Sequence, residues 1–344
     1  MRRLAPIAPL LLAGCLQYAD DGVYACVPAT GKDCTVCDSV TGWCQDWSGI
    51  SLGAAQLRGI WGSASDSVWA VGTNGTILFW NGKVWTSQGG QASGVDLNGV
   101  WGRSPTDVWV AGNAASYLHW DGASWNYSVT TTLWTGRGNN PLQDLLAVGG
   151  NQNYTWVVDS WGGSAFWDTT LTPPDWSLFF DYPAGKLPLY GVWSDSQANT
   201  YYVGQAGKVF RDDKYNTLGT GVVELVNPDP TTPYQNDLFA IWGSSPTDVW
   251  IVGDGGIVLH WDDNPVLTTP LTLKGNLPTR ARAIWGTGSN DIWVAGDGGK
   301  VSRWNGGAFE NVPQNYADNL RGIWVNSGDV WAVAESGIIY HLKR

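Results

Sequence analysis

The sequence predicts an all-β fold: a seven-bladed β-propeller of four-stranded antiparallel blades. Three observations carry this. Residues 57–86, LRGIWGSASDSVWAVGTNGTILFWNGKVWT, hold four short runs rich in Val, Ile, Trp and Phe, parted by turn residues. The same unit occurs seven times, at intervals of 39 to 49 residues. The last copy stops after its third run, and a segment like the missing fourth run lies ahead of the first copy.

The runs are strands a to d of one meander. Ser63-Ala64-Ser65-Asp66-Ser67 parts a from b, and Gly72-Thr73-Asn74-Gly75 parts b from c. Asn81-Gly82, a strong hairpin dipeptide, parts c from d. Strand a carries Trp61, Trp101, Gly149, Trp193, Trp242, Trp285 and Trp324 through the seven copies. Strand b carries Trp69, Trp109, Trp156, Tyr201, Trp250, Trp293 and Trp331, and strand c Trp80, Trp120, Trp167, Asp212, Trp261, Trp304 and Leu342. The b-to-c spacing is eleven residues in every copy, and insertions fall mainly after strand c. A constant core with variable connections is what a stacked meander requires, and four-stranded units of this period indicate a propeller.

Closure follows from the two ends. An open solenoid would need a capping repeat with a polar outer face, and the last copy lacks one. Thr41-Gly42-Trp43-Cys44-Gln45-Asp46-Trp47-Ser48 resembles the strand-d run Asn81-Gly82-Lys83-Val84-Trp85-Thr86. Residues 41–48 are therefore expected to pair with 337–342, complete the last blade, and remove the edge an open sheet would expose.

The N-terminus reads as a targeting segment. Arg2 and Arg3 precede a short apolar run, 4–12, and then Leu12-Ala13-Gly14-Cys15. That tetrapeptide resembles the lipobox of bacterial lipoproteins, which implies diacylglycerol on Cys15 and cleavage before it. Leu16 follows the cysteine where that family's inner-membrane retention signal would have Asp, which implies the outer membrane of a Gram-negative cell. Cys26, Cys34, Cys37 and Cys44 share one short segment. An exported chain meets an oxidising compartment, so two disulfides are expected rather than zinc, with three pairings open. The expected organisation is a signal peptide at 1–14, a lipidated cysteine-rich tether at 15–40, and the propeller at 41–344.

The b-c-d pattern Val68-Trp69-Ala70-Val71-Gly72, Gly75, Ile77-Leu78-Phe79-Trp80-Asn81-Gly82 and Trp85 resembles tectonin-type propeller repeats and related BNR-like repeats of the wider WD40-like group. The likeness covers about residues 43–342, and tectonin-like propellers imply carbohydrate binding. Trp120-Asp121, Trp167-Asp168 and Trp261-Asp262 also resemble the dipeptide ending a WD40 strand c, but the Gly-His partner is missing.

Composition narrows the function. A formal charge of −11 lacks the basic face that nucleic acid requires, so no nucleic-acid partner is expected. Twenty of the 24 tryptophans occupy repeat positions and are expected in the core. Trp134 and Trp161 do not. Trp134 lies in the insertion after the second copy and Trp161 in the b–c turn of the third, so both are expected on one rim, with Arg137 and Tyr154 as neighbours in a ligand patch. His119, His260 and His341 share one repeat position and are read as structural, because seven-fold geometry keeps them apart. Asp254 and Asp297, each in Gly-Asp-Gly-Gly, are weak calcium candidates. No metal or cofactor is otherwise expected. A sialidase-like site would need three converging arginines and a tyrosine. Arg58 and Arg321 share one repeat position and Arg211 and Arg303 another, so the arginines are expected to be dispersed.

The expected function is a lipid-anchored, non-catalytic binding or scaffold module of the bacterial envelope, recognising an envelope protein or a surface glycan through its loop face. Two alternatives stand beside it. One is a tectonin-like lectin, and the other a polysaccharide-active enzyme drawing on top-face acids such as Asp181, Asp229 or Asp237, which would need two carboxyl groups set across a cleft.

Overall fold

Turn chemistry becomes antiparallel pairing throughout the computed structural model, which describes residues 34–47, 55–129, 143–181, 187–196, 199–212, 222–225, 235–261 and 271–344. Seven sheets stand around one axis, and six of them are four-stranded in the order a-b-c-d. Strands a are Leu57–Ala64, Leu97–Ser104, Leu145–Gly150, Leu189–Ser194, Leu238–Ser245, Ala281–Gly288 and Leu320–Val325, and they define blades 1 to 7. Each strand a packs on the strand a of the next blade, so these seven strands line the axis.

Blade 7 is closed by the other end of the chain, as expected. Trp43–Trp47 runs antiparallel to Ile339–Lys343, with Trp43 opposite Leu342 and Asp46 opposite Ile339. Trp43 takes the strand-d tryptophan position and is buried. A further strand, Cys34–Cys37, lies outside it, so the sheet reaches into the segment read from sequence as tether. Cys37 stands opposite Cys44 and is disulfide-bonded to it. Cys15 and Cys26 lie outside the described residues.

Two interlocks hold blade to blade. The first is tryptophan over glycine along the axis. A Cβ on Gly102 would lie 2.6 Å from the ring of Trp61, one blade earlier. The same holds for Gly62 under Trp324 (2.9 Å), Gly150 under Trp101 (2.9 Å), Gly243 under Trp193 (2.8 Å) and Gly286 under Trp242 (2.6 Å). Gly149 replaces the tryptophan in blade 3, and the residue it would have covered in blade 4 is Ser194. Blade 7 departs too: Val325 stands at this place, in the cluster on which Trp285 of blade 6 packs.

The second interlock clasps four of the six strand-b tryptophans between aromatics of the next blade. Trp120 and Trp125 lie 5.3 and 5.0 Å from Trp69, Trp167 and Trp176 5.5 and 5.8 Å from Trp109, and Trp304 and Phe309 5.0 and 5.9 Å from Trp250. Trp80 and Trp85 clasp Trp331 at 5.4 and 5.6 Å across the ring closure. Each aromatic pair contributes about 0.5–1.5 kcal/mol beyond the area it buries.

A polar network braces the a–b end of several blades. In blade 2 the Asp107 carboxylate accepts from Trp109 Nε1 at 2.7 Å and bonds His119 Nε2 at 2.9 Å, while the imidazole stacks on Trp109. Blade 5 repeats this with Asp248, Trp250 and His260. Blade 7 has Asp329 bonded to His341, which stacks on Trp331. In blade 6 Arg303 replaces the histidine on Asp291, and Arg344 joins it, so that both guanidinium groups lie 5.4 Å from the Trp293 ring. Blade 3 swaps the polar pair for an apolar one, with Tyr154 and Phe166 packed on Trp156. Burial pushes Asp107 up, but bonds from His119 and Arg103 overcome it and hold the carboxyl at about 2. Asp291 and Asp329 are also buried upward and then held at about 2, the former chiefly by Thr287 and Arg344, the latter by Lys343, Ser65 and His341.

Two outcomes follow. Gly102→Ala forces a Cβ into the Trp61 ring and should cost about 1–3 kcal/mol in urea unfolding; an unchanged midpoint would mean the rings relax freely. The depressed carboxyls stabilise the fold above their unfolded pKa of about 4, and this contribution is lost as pH falls toward about 2. Thermal midpoints should therefore drop across that window, and less steeply in Asp329→Asn.

Candidate functional site

Strand a has a fixed frame and one variable place. Its first described residue is Leu in six blades and Ala281 in blade 6, and its third is Gly or Ala. Between them stand Arg58, Asn98, Leu146, Tyr190, Phe239, Arg282 and Arg321. At this place the pairing with strand b slips by one residue in all seven blades. A bulge leaves its extra residue out of the ladder and re-aims the side chain. Here the result is convergence: all seven residues, with Gln56, line one cavity of about 290 Å³. It sits at the mouth of the axis, on the face where the b–c turns emerge.

The lining divides into two arcs. Blades 3, 4 and 5 contribute Leu146, Tyr190 and Phe239, with the Tyr190 and Phe239 rings 5.6 Å apart. Blades 6, 7 and 1 contribute Arg282, Arg321 and Arg58. The guanidinium groups of Arg280 and Arg282 lie 5.7 and 5.5 Å from the Phe239 ring, which joins the arcs through cation–π contact. Asn98 closes the circle by donating to Asn113 and to the Leu145 carbonyl, each at 2.8 Å.

Every arginine here has a carboxylate partner. Arg58 donates to Asp96 at 3.0 Å and to Asn98 at 2.7 Å. Arg282 binds Asp297 through Nε and Nη2, and Arg321 binds Glu335 the same way. Arg280 pairs with Asp254 at 2.6 Å, which holds that carboxyl below its usual range. Burial pushes Glu335 up, but Asn319 and Arg321 together pull it below its usual value. Other side chains of this face cap the b–c turns from the next blade. Asp96 accepts from Asn74 N (3.1 Å), Asp144 from Ala114 N (2.9 Å) and Asp237 from Ala206 N (3.0 Å). Those three turn residues have φ near +56°, outside the usual range for a side chain, so the cap fixes a strained turn.

Several sequence-based expectations change. The arginines are not dispersed: Arg58 and Arg321 meet Arg282 in one cavity that Tyr190 also lines. A shared repeat position separates residues on outer strands but gathers them on the innermost one. Burial, with the charge of Asp237, pushes the Tyr190 phenol above its ordinary value, the opposite of an activated nucleophile. Asp254 and Asp297 pair with Arg280 and Arg282. Among the described residues no three His, Cys, Asp or Glu side chains come together to hold a metal ion. Tyr154 and Trp161 fall at opposite ends of strand Tyr154–Asp159, and Tyr154 is buried in the blade. Trp161 is half-buried in its b–c turn, its N–H bonded to Asp159 at 2.8 Å. Trp134, Arg137 and Asp229 lie outside the described residues, as does the side chain of Asp181. Asp237 is a turn cap. The three histidines lie in the networks at the a–b end, away from the cavity.

Asn98, Leu146, Tyr190, Phe239 and Arg282 were not singled out from sequence. One signal was available: a freely varying residue between a fixed Leu and a fixed small residue, in the strand nearest the axis.

No protein-family model matches the chain, and no curated protein matches it either. Solved structures do. YCF48 from Cyanidioschyzon merolae aligns over 88% of this chain and 99% of its own at 16% identity, with a TM-score of 0.66. A structure of YCF48 bound to D1 peptide covers 90% and 99% at 16% identity, TM-score 0.64. Virginiamycin B lyase from Staphylococcus aureus covers 86% and 97% at 16% identity, TM-score 0.69. At such identities the likeness is one of fold, a propeller with WD40-like and related neighbours.

The Arg321–Glu335 pair is about a third exposed on the arginine side and should matter little to the fold. Arg321→Ala is expected to lower stability by at most about 1 kcal/mol in urea titration. A loss of several times that would make the arginine part of the scaffold rather than of a site.

Proposed function

We propose that this chain is a non-catalytic binding propeller that takes a protein segment at the axial mouth, and that it does so in the bacterial envelope, held by lipid on Cys15. The convergence of seven bulged, variable residues on one cavity carries the binding reading. A frame this regular could have used one residue seven times. It instead places an aromatic and aliphatic arc opposite an arginine arc, the mixture of apolar surface and oriented donors found in recognition sites. A propeller of this shape is solved with a peptide, YCF48 bound to D1 peptide, which supports a protein partner. The leader and the sequence Leu12-Ala13-Gly14-Cys15 support the anchor.

The enzyme alternative draws on virginiamycin B lyase, which shares the fold. Its support in this chain is weak on chemical grounds. All three histidines are engaged with an aspartate and stacked on a tryptophan, and Tyr190 is pushed away from ionisation. The lectin alternative rests on Trp134 and Trp161, of which Trp134 lies outside the described residues, and it loses Tyr154 as a neighbour, because that residue belongs to the blade core.

Selection of displayed random peptides on the full chain tests the reading. Enriched peptides should lose about tenfold or more in affinity on Phe239→Ala, and similarly on Arg282→Ala, if these are anchors of the interface. Enrichment that both variants leave untouched would place binding elsewhere, and an absence of enrichment would remove the peptide-binding reading.

A further inference from the structure

The arginines invite an anionic ligand, and their surroundings argue otherwise. Arg58, Arg280, Arg282 and Arg321 are matched by Asp96, Asp254, Asp297 and Glu335. Asp237 adds a fifth carboxylate close enough to raise the Tyr190 phenol. The mouth thus carries no surplus positive charge, in a chain whose formal charge is −11. An arriving carboxylate would have to displace one already bound, or share a guanidinium with it.

What the arc still offers is neutral. A guanidinium has five N–H donors in a fixed plane. Arg282 and Arg321 each donate Nε and Nη2 to their carboxylate, and no acceptor is recorded for either Nη1 among the described residues. Two such groups, held still by ion pairs, suit acceptors that carry no full charge, such as backbone carbonyls. Across the cavity Leu146, Tyr190 and Phe239 suit an apolar side chain, and about 290 Å³ admits one large side chain with its flanking peptide groups.

Resting on the binding reading above, we propose that the axial mouth selects an uncharged peptide segment: a large apolar or aromatic side chain on the Tyr190–Phe239 side, its carbonyls on Arg282 and Arg321. Acidic segments are excluded by the carboxylates already in place. The arginines act as fixed donors and set orientation, and attraction over distance has no part in it.

The test uses the full chain and ten-residue peptides, acetylated and amidated, of Gly and Ser around one central Phe, Leu, Asp, Glu or Lys. Phe and Leu peptides should bind at least about tenfold tighter than Asp, Glu or Lys peptides. Their affinity should change less than about twofold between about 50 and about 500 mM salt, because no net charge is screened. The double variant Asp297→Asn with Glu335→Gln uncovers two guanidinium charges, so it should gain affinity for the Asp and Glu peptides and become salt-sensitive; circular dichroism and the thermal midpoint confirm that it is folded. Wild-type preference for Asp or Glu peptides with steep salt dependence overturns this inference and leaves the binding reading standing. If no peptide binds in a manner sensitive to Phe239→Ala, both fall. If the double variant gains nothing for acidic peptides, charge compensation is not what excludes them, and the inference fails on that point.

Discussion

Most tryptophans on the axis lie over a neighbour with no side chain. That constraint, met at five of the blade junctions, sets how closely adjacent strands a approach and at what angle the blades stand. Everything outward is spaced by it. Outside these locked inner strands, Trp69, Trp109, Trp250 and Trp331 reach the c and d aromatics of the next blade. Two junctions differ: Gly149, without a ring, meets Ser194, and Trp285 meets Val325 in place of a glycine.

The axis also links scaffold to site. Upstream of each ring–glycine contact, strand a slips its register once, and the slipped residue is the variable one. The interlock holds the strand so firmly that this residue can change from Arg to Leu to Phe without altering the frame. The polar networks at the a–b end brace the opposite half of blades 2, 5, 6 and 7 and keep the histidines occupied there. The variable residues thereby stand at one end of the strands and the bracing at the other.

The fold was legible because each part of it is written seven times. Blade number, strand order and the use of 41–48 to finish the ring all follow from counting Trp69, Trp80 and their counterparts. The strand Cys34–Cys37 was not legible, since one short polar stretch carries no repeat to compare it with. Parts of the site were not legible for a geometric reason. Tyr154 was expected as a neighbour of the rim tryptophans, yet with Phe166 it replaces the Asp–His pair of sibling blades and stays in the core. Arg58 and Arg321 looked scattered because their spacing along the chain is that of whole blades. Only the radius of strand a, which no spacing reveals, turns such a set into a ring of neighbours.

The disulfide between Cys37 and Cys44 bears on mechanics. A pull transmitted from the N-terminal side enters the sheet at Cys34–Cys37, the outermost strand of blade 7. The covalent bridge passes that load straight to Cys44, so the turn at 38–42 is never stretched open. From there it is shared in shear by the ladder between Trp43–Trp47 and Ile339–Lys343, whose hydrogen bonds lie across the line of force. A chain tethered from this end would carry its tension through the strand that closes the ring.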